Sequence, residues 1–309
     1  MLERHLGQHA GFEHEAFTAL NSAFLHTGAL IVAPRNALID APVHVLFIST
    51  QADAVSYPRC LAIAQSSSSM TLVEEYVALH ADACLTNAVT EIALADNAQV
   101  NHIRVQHEGG AAFHIANCAV SLARASRYRS VSVALGARLS RYNLNVLLAE
   151  EGAECAIDGL ALIGGTQVAD SHTRIDHAKP HCVSRQLHKC IVDGSARAVF
   201  NGIIKVRAGA QRTDSAQSSR NLLLSGKARV DTKPQLEIFA DDVKCAHGAT
   251  VGQLDPDEVF YLRSRGLTNA AARNLLTYAF GAELIDRIGV PSLRLRLEQA
   301  VRTQTARAA

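Results

Sequence analysis

The chain has 309 residues, of which 48% are hydrophobic and 19% are charged, and its formal net charge is +1. This length is sufficient for one large domain or for a core with an appendage. The near-neutral charge excludes a global electrostatic attraction to nucleic acids or acidic membranes and leaves only local patches open. Aromatic residues make up 5% of the chain and tryptophan is absent, which favours thin layers filled by small aliphatic side chains.

The cysteines and the N-terminal residues bear on the cell compartment. Seven cysteines are scattered along the chain without a C-x-x-C pair, which is typical of reduced thiols in a cytosolic protein. The first residues contain no apolar signal segment, and no apolar run in the sequence is long enough to cross a membrane. We therefore predict a cytoplasmic protein that is neither secreted nor membrane-spanning.

Helical and extended patterns divide the first part of the chain. Residues 1–24 include an amphipathic segment from Glu13 to Leu20, and we predict a short N-terminal helical strap there. From residue 28 the pattern changes to short apolar runs, bounded by prolines, an asparagine or a serine cluster. Such runs indicate strands. The first four begin at Ala29, Val43, Cys60 and Met70.

Glycine corners recur further along the chain, at positions 136, 152, 194, 209 and 226. The step between the first two and the steps between the last three are nearly equal, whereas the step from 152 to 194 is more than twice as long. We expect two strand-like runs within each short interval, as between Ala198 and Val206. Strand and turn units at a near-constant step are typical of a β-solenoid, in which each turn buries its faces on its neighbours. A β-sandwich also has short strands and regular turns, so the period leaves both folds open.

The last segment changes to helical periodicity. Asp255 is a predicted N-cap, and Gly266 ends the helix that follows it. Thr268 is predicted to cap a second helix that ends near Gly289, and Pro291 to open a third. These helices can seal the last turn of a solenoid, dock a partner, or do both. The predicted organisation is a strap over 1–24, a β core over 25–254 and a helical domain over 255–309.

Cys245 and His247 are two residues apart near the end of the β core. In an extended strand both side chains point to the same face, where a thiol and an imidazole can hold a soft metal ion or an iron-sulfur species. The alternative is a small buried thiol beside a histidine that is satisfied by hydrogen bonds. The spacing alone leaves both interpretations open.

The densest polar cluster lies between residues 170 and 190. Its histidine spacing lacks the helical context of a zinc hydrolase, and we predict a hydrogen-bonded bend between two turns of the solenoid. Its members are Asp170, His172, Asp176, His177, His181, Cys182, His188 and Cys190.

A β-helix enzyme acting on carbohydrates is an alternative function, because such enzymes place acidic groups in a groove. Asp241 and Asp242 are adjacent, so in a strand they face opposite ways, and Asp231 is a further candidate partner. The absence of a signal segment and of an aromatic sugar platform counts against this interpretation. The S-G-K-A segment at Ser225 lacks the first glycine and the hydroxyl residue of a phosphate-binding loop, so we expect no bound nucleotide.

Several longer motifs occur in one order in the second half of the chain. They are D-S-H-T-R-I-D-H-A-K-P-H from Asp170, V-F-N-G-I-I-K-V from Val199, G-A-Q-R-T-D from Gly209, N-L-L-L-S from Asn221, P-Q-L-E-I-F-A-D-D-V-K-C-A-H-G-A-T-V-G from Pro234 and F-Y-L-R-S-R-G-L from Phe260. In these motifs the chain resembles the SufB/SufD family of iron-sulfur cluster assembly proteins, with SufD as the nearer branch. The resemblance is strong from about Asp170 to Phe280 and continues more weakly back to about Phe17. It implies a right-handed parallel β-helix with C-terminal helices.

The resemblance also implies a function, that of a non-catalytic scaffold in a SufBCD complex. His247 matches the family's functional histidine and Cys245 the adjacent thiol, so both are predicted ligands of a transient iron-sulfur cluster shared with a SufB partner. The family's ATPase, SufC, binds the C-terminal helices, which predicts partner contacts at Tyr261, Arg263, Arg265 and Phe280. Pairing with a second copy instead of SufB stays open, as does a β-solenoid interaction module without metal chemistry.

Overall fold

The structure, a computed structural model, describes residues 2–13 and 15–308, without the side chains of residues 304–308. Three residues lie outside the described ones: Met1 and His14 in the predicted strap, and Ala309 at the end of the predicted helical domain. After a 3-10 turn at Leu2–Arg4, the described elements are α1 Ala16–Ala23, β1 Ala29–Ala33, β2 Val43–Ser49, β3 Val55–Ser56, β4 Arg59–Ala64, β5 Ser69–Ala78, β6 Leu85–Leu94, β7 Gln99–His107, β8 Phe113–Leu122, β9 Arg127–Ala134, β10 Leu139–Leu148, β11 Glu154–Ile163, β12 Val168–His177, β13 Val183–Val192, β14 Arg197–Val206, β15 Asp214–Leu223, β16 Arg229–Ile238, β17 Lys244–Gly252, α2 Pro256–Ser264, α3 Asn269–Ile285 and α4 Pro291–Ala308.

The strands form two parallel sheets that the chain visits in alternation. The first sheet has the order β1-β4-β6-β8-β10-β12-β14-β16, with β3 paired to β6, and the second has the order β17-β15-β13-β11-β9-β7-β5-β2. Within the first sheet Leu139 lies beside Val168, and Val168 beside Arg197, so successive turns have the same length there. The chain is therefore a parallel β-solenoid of about 8 turns followed by helices. The prediction of a mainly β solenoid is confirmed, and the sandwich is excluded.

The predicted content of each interval is wrong. Residues 197–206 form the single strand β14 where two strand-like runs were expected. The same holds for the neighbouring half turns, each of which contains one strand and one corner. In the sequence Asn201 and Gly202 separate two apolar runs, but both residues lie inside the strand, and Gln217 occupies the space that a side chain at position 202 would need.

The corners explain the irregular glycine spacing. Gly152, Gly165 and Gly194 have positive φ angles of 69°, 62° and 63°, but His181 has a φ of 59° as well. The long interval between positions 152 and 194 therefore contains two further corners, one of which has no glycine. Corners of successive turns are also joined by hydrogen bonds, since the amide of Gly152 donates to the Pro180 carbonyl at 3.2 Å.

The space between the two sheets, which we call the lumen, contains the main hydrophobic core. It is filled largely by alanine, valine, leucine and isoleucine with three tyrosines, as the composition indicates. Its fully buried members include Leu72, Ile92, Leu122, Leu144, Leu148 and Ile204.

The N-terminal residues cover part of the outer face of the first sheet. The Asn21 side chain, on α1, donates to the carbonyls of Pro58 at 3.0 Å and Asn87 at 2.8 Å. The buried Glu91 carboxylate accepts from the amides of Gly7 and His9 at 2.8 and 2.9 Å. This segment is held by specific hydrogen bonds as well as by apolar contacts.

The C-terminal helices fold back across the outer face of the second sheet. Leu284, Ile285 and Leu297 are buried against a cluster that includes Val133 and Leu160. Since this face belongs to the middle turns, the helices do not seal the last turn, and that structural alternative is wrong.

Polar contacts fix the helices in this position. Arg296, on α4, contacts Glu75 at 2.6 Å, and Arg287, in the turn between α3 and α4, contacts Asp158 at 2.8 Å, so each joins the helical segment to a strand. The predicted caps are confirmed, because the side chains of Asp255 and Thr268 accept from amides in the first turns of α2 and α3. No helix among the described residues is long and apolar enough to span a membrane.

Candidate functional site at the last turn

The last strand of the second sheet, β17, differs from every other long strand in its exposure. It pairs with β15 on one side, and no described strand pairs with its other edge. Its side chains are exposed except for the half-buried Cys245, whereas those of β15 are mostly buried or half-buried. A free strand edge carries unpaired N–H and C=O groups and is a template for pairing with another chain.

The corresponding edge of the first sheet is less suited to strand pairing. It is formed by β16, which contains Pro234, and proline has no N–H group to donate. No proline interrupts β17. Exposed apolar side chains surround the last turn, with Ile238 at 40%, Phe239 at 62% and Val251 at 47% exposure. This end of the solenoid therefore combines one open strand edge with an apolar rim, as an interface does.

Cys245 and His247 lie on this last strand, on the same face, as the spacing predicts. Cys245 is aligned with Ser215 and His247 with Gln217 on β15. Cys245 packs against the lumen core, while His247 is exposed. Burial, with the nearby Asp214 carboxylate, raises the pKa of the Cys245 thiol. The imidazole is therefore the more accessible donor of the two, and the thiol is held in its protonated form.

Two hydrogen-bonded chains of polar side chains lie in the lumen directly below this pair. Below His247, the amide of Gln217 donates to Gln186 Oε1 at 2.7 Å, and Gln186 donates to Thr173 Oγ1 at 2.8 Å. Below Cys245, the hydroxyls of Ser215 and Ser184 are 2.6 Å apart. The ligand candidates thus stand at the open ends of two buried polar columns.

The chain alone supplies few metal donors at this position. Among the described residues, no group of three or more histidine, cysteine or acidic side chains is placed to hold a metal ion. An iron-sulfur cluster takes four protein ligands, chiefly thiolates with some imidazoles. Cys245 and His247 fit that chemistry by type, and they can form only part of such a site.

The predicted bend between residues 170 and 190 is two strands. Asp170, His172 and His177 are on β12, and His188 is on β13, with a short turn between them. His177 Nε2 lies 2.9 Å from Ser184 Oγ, and the His188 ring stacks on Phe200. The prediction of a bend was wrong because these residues lie mostly in two extended strands, along which the histidines alternate between lumen and surface. His181 lies in the intervening turn, and its ring nitrogen is 3.8 Å from Glu151.

The acidic candidates lie in two different elements, with Asp231 on β16 and the adjacent Asp241 and Asp242 beyond its end. Asp241 and Asp242 are in the bend between β16 and β17, so the prediction that they lie in a strand is wrong. Asp231 forms an exposed ion pair with Arg197 at 2.6 Å. Their surroundings therefore give no support to a shared acid and base role.

The four predicted docking residues differ in their surroundings. No described residue of α2 is buried, and Tyr261 is 56% exposed with Arg265 stacked over its ring at 5.3 Å. Arg263 is exposed on the same helix. Phe280, on α3, is half-buried, and its ring contacts the Lys189 ammonium at 4.6 Å. The structure therefore brings Tyr261, Arg263 and Arg265 together at the C-terminal end of the exposed helix α2, with Arg265 as its C-cap, and gives Phe280 a role in the fold.

Sequence reasoning missed a group of charged residues in the lumen. Glu74 accepts from Thr90 at 2.9 Å and lies 2.8 Å from His102, and Glu108 lies 2.7 Å from His114. All these side chains are buried. The signal was the alternation in H-I-R-V-Q from residue 102, where every second position is polar, although nothing in it shows that the polar face is the inner one.

Comparison with known proteins agrees with this architecture. The SufBD core domain of the SUF system for FeS cluster assembly matches residues 47–280. The chain therefore belongs to the SufBD family of iron-sulfur cluster assembly proteins.

Named relatives extend the similarity over most of the chain. An iron-sulfur cluster assembly SufBD family protein of Synechocystis is 43% identical over 98% of this chain and 69% of its own length. The iron-sulfur cluster assembly protein SufD of Escherichia coli is 37% identical over 89% of this chain and 66% of its own length. That of Bacillus subtilis is 29% identical over 94% and 66%. The chain thus spans about two thirds of the length of these relatives.

Proposed function

We propose that this chain is a cytoplasmic, non-catalytic scaffold for iron-sulfur cluster assembly that shares a cluster ligand set with a SufB-type partner across β17. The observation that carries the proposal is the position of His247, which is exposed on β17, the strand that ends the second sheet at the last turn. Membership of the SufBD family supplies the reaction context. The seven free cysteines, six of them buried, agree with a reducing compartment.

The donor set supports a shared site. His247 offers an accessible imidazole and Cys245 a half-buried thiol, which is fewer donors than a cluster requires. The remaining ligands then come from the partner chain, and the open edge of β17 can bring that chain within reach. A second copy of this chain can use the same edge. The proposal therefore includes a homodimer as the other form of the interface along β17, which we call the seam.

The C-terminal helices support docking of a SufC-type ATPase. The exposed helix α2 and its C-cap present Tyr261, Arg263 and Arg265, and the helix begins only a few residues after β17. A groove of about 500 Å³ joins Val251 on β17 to Phe280 on α3. Movement of the helices on ATP binding by the partner would therefore reach the seam directly.

The first test is cluster formation with a His247→Ala variant. The chain is mixed anaerobically with SufB-type and SufC-type proteins, ATP, iron and a sulfur donor, and iron and acid-labile sulfide are measured per complex. We expect the variant to assemble a complex of normal size and to form less than about a tenth of the wild-type cluster, the loss typical of a disturbed metal site. Cys245→Ser should have a smaller effect, because the thiol is less accessible.

The matched control is His107→Ala, which removes another exposed histidine from the end of a strand of the same sheet. Wild-type cluster yield with this control and full yield with His247→Ala would remove His247 from the mechanism. A complex that forms but binds no iron or sulfide, even in the wild type, would favour the interaction module without metal chemistry.

A further inference from the structure

The chain of amides below His247 has a direction. Gln217 donates its N–H to Gln186 Oε1, and Gln186 in turn donates to Thr173 Oγ1 across the lumen. All three side chains are buried, with 3% or 4% exposure. Each glutamine thus donates through its amide nitrogen toward the interior of the solenoid. One amide oxygen is therefore left at the end of the chain of hydrogen bonds nearest the last turn.

That last oxygen is Gln217 Oε1, and it is buried without a hydrogen-bond partner among the described residues. The amide nitrogen occupies the space that a side chain at position 202 would need, since a Cβ on Gly202 would overlap it. A buried acceptor left unpaired is costly, so this oxygen needs a donor.

His247 is the residue of β17 aligned with Gln217. Neighbouring strands are about 4.8 Å apart, so side chains in one column are in reach of each other. The imidazole is exposed and has no hydrogen bond or ion pair to a described residue, so turning Nδ1 toward Gln217 about χ1 and χ2 breaks no such interaction.

We propose that Gln217 is a positioning residue whose Oε1 accepts a hydrogen bond from His247 Nδ1–H, so that the Nε2 lone pair is left free at the seam. A histidine ligand usually donates its other ring N–H to a nearby acceptor, which selects the tautomer and orients the ring. The use of that lone pair as a cluster ligand rests on the proposed function. The tautomer itself is a property of this chain alone.

The tautomer can be measured on the full chain labelled with ¹⁵N-histidine, at alkaline pH where imidazoles are neutral. The His247 signals are assigned by their loss in His247→Ala. We expect the Nδ1–H form to predominate in the wild type, although free histidine favours Nε2–H. In Gln217→Met, which keeps the side-chain length without the acceptor, the ratio should shift by about fivefold toward Nε2–H, as expected from the loss of one hydrogen bond.

The control is Ser215→Ala, which removes a buried polar group from the same strand, two residues away and below Cys245, and should leave the His247 tautomer unchanged. Gln217→Glu retains an acceptor and should keep the Nδ1–H form. An Nε2–H tautomer in the wild type overturns the proposal even where a variant fails to fold. An identical ratio in wild type and folded Gln217→Met overturns it as well.

Cluster assembly separates this inference from the proposed function. With the SufB-type and SufC-type proteins present, Gln217→Met should lower cluster yield by about tenfold, while the exposed-histidine control His107→Ala should not. Loss of cluster in His247→Ala with no change of tautomer in Gln217→Met would overturn this inference and leave the proposed function standing. Full yield in His247→Ala with the expected tautomers would overturn the proposed function and leave this inference standing.

Discussion

The first turns of the solenoid and its last turn, at β17, both place polar side chains in the same columns of the second sheet. In the first turns these side chains are enclosed in the lumen, and in the last turn they are exposed. In the early turns, His102 is enclosed between Glu74 and Tyr128, with separations of 2.8 Å to each. In the last turn His247 stands exposed on a free edge. Buried polar groups that satisfy one another stabilise the fold, whereas polar groups left at an open end are available to a partner.

The hydrogen bonds in the early turns determine a protonation state. Arg104 can only donate, so His114 Nε2, which it contacts, must be an acceptor. His114 Nδ1 then carries the proton and lies 2.7 Å from Glu108 Oε2. Burial, opposed by Glu108, lowers the pKa of His114, in agreement with a neutral imidazole. His102, Arg104 and His114 are enclosed in the lumen, out of reach of a partner chain, which distinguishes them from His247 in the last turn.

The largest effect is expected from Arg104→Leu. The substitution removes the cation that contacts His114 and lies over the Tyr142 ring at 4.4 Å. The buried carboxylates of the early turns are then left without that positive charge. We expect the free energy of unfolding to fall by about 3–5 kcal/mol, measured by urea denaturation. Arg197→Leu near the open end breaks an ion pair whose side chains are 57% and 55% exposed, and should cost less than about 1 kcal/mol. Equal losses would contradict the contrast between the two regions.

Acid should destabilise the protein through two histidines deeper in the lumen. Burial lowers the pKa of His188 to about 3 and of His177 to about 4, from 6.5. The unfolded chain then binds protons that the folded chain does not as pH falls below 6.5, so stability is lost in that direction. From pH 7 to pH 5 each histidine should remove about 2 kcal/mol from the free energy of unfolding.

Urea denaturation at both pH values measures this loss, and His188→Gln should reduce it by about 2 kcal/mol. Glu108 should contribute little between pH 7 and pH 5, because the attraction of His114 outweighs burial and lowers its folded pKa to about 2, and its ordinary pKa of 4.5 also lies below this range. An unchanged pH dependence in the variant would show that His188 does not stay neutral in the lumen.

Local signals were sufficient for much of the fold. The first strands begin at or next to the predicted positions, because their ends are set by nearby prolines and turn residues. The caps at Asp255 and Thr268 were predicted because a capping hydroxyl or carboxylate acts only on amides close to it in the chain. The corner at His181 was not, because a left-handed residue other than glycine leaves no clear signal.

The candidate site was predictable only in part. The family motif and the spacing identify Cys245 and His247, and period two places them on one face. Gln217 was missed because it is aligned with His247 only through strand register, which depends on the lengths of two intervening corners. The same reason hid the pairing of Arg104 with His114, since the two residues meet across the lumen from different sheets.

A smaller effect is expected from adding one methyl group inside the lumen. A Cβ at Gly159 would overlap the His188 ring, whereas one at Gly248, on β17, would have nothing within 4 Å. We expect Gly159→Ala to lower the free energy of unfolding by about 1–3 kcal/mol through overpacking. Gly248→Ala should change it by less than about 0.5 kcal/mol. Thermal or urea unfolding of the pair tests this, and equal changes would mean that the lumen is not tightly packed at His188.

The smallest effect on stability, and the sharpest test of the open end, is expected from Val251→Lys. Val251 is 47% exposed on β17, so the free energy of unfolding should change by less than about 0.5 kcal/mol. If β17 forms the seam, a lysine there would be desolvated on association, and binding to a SufB-type partner should weaken by at least about tenfold in calorimetric titration. Leu79→Lys makes the same kind of change at a residue that is 73% exposed, just after β5, and should not affect binding. Equal affinities for the two variants would place the partner elsewhere. A lysine buried in an interface along β17 would weaken binding, whereas a lysine outside the interface would not.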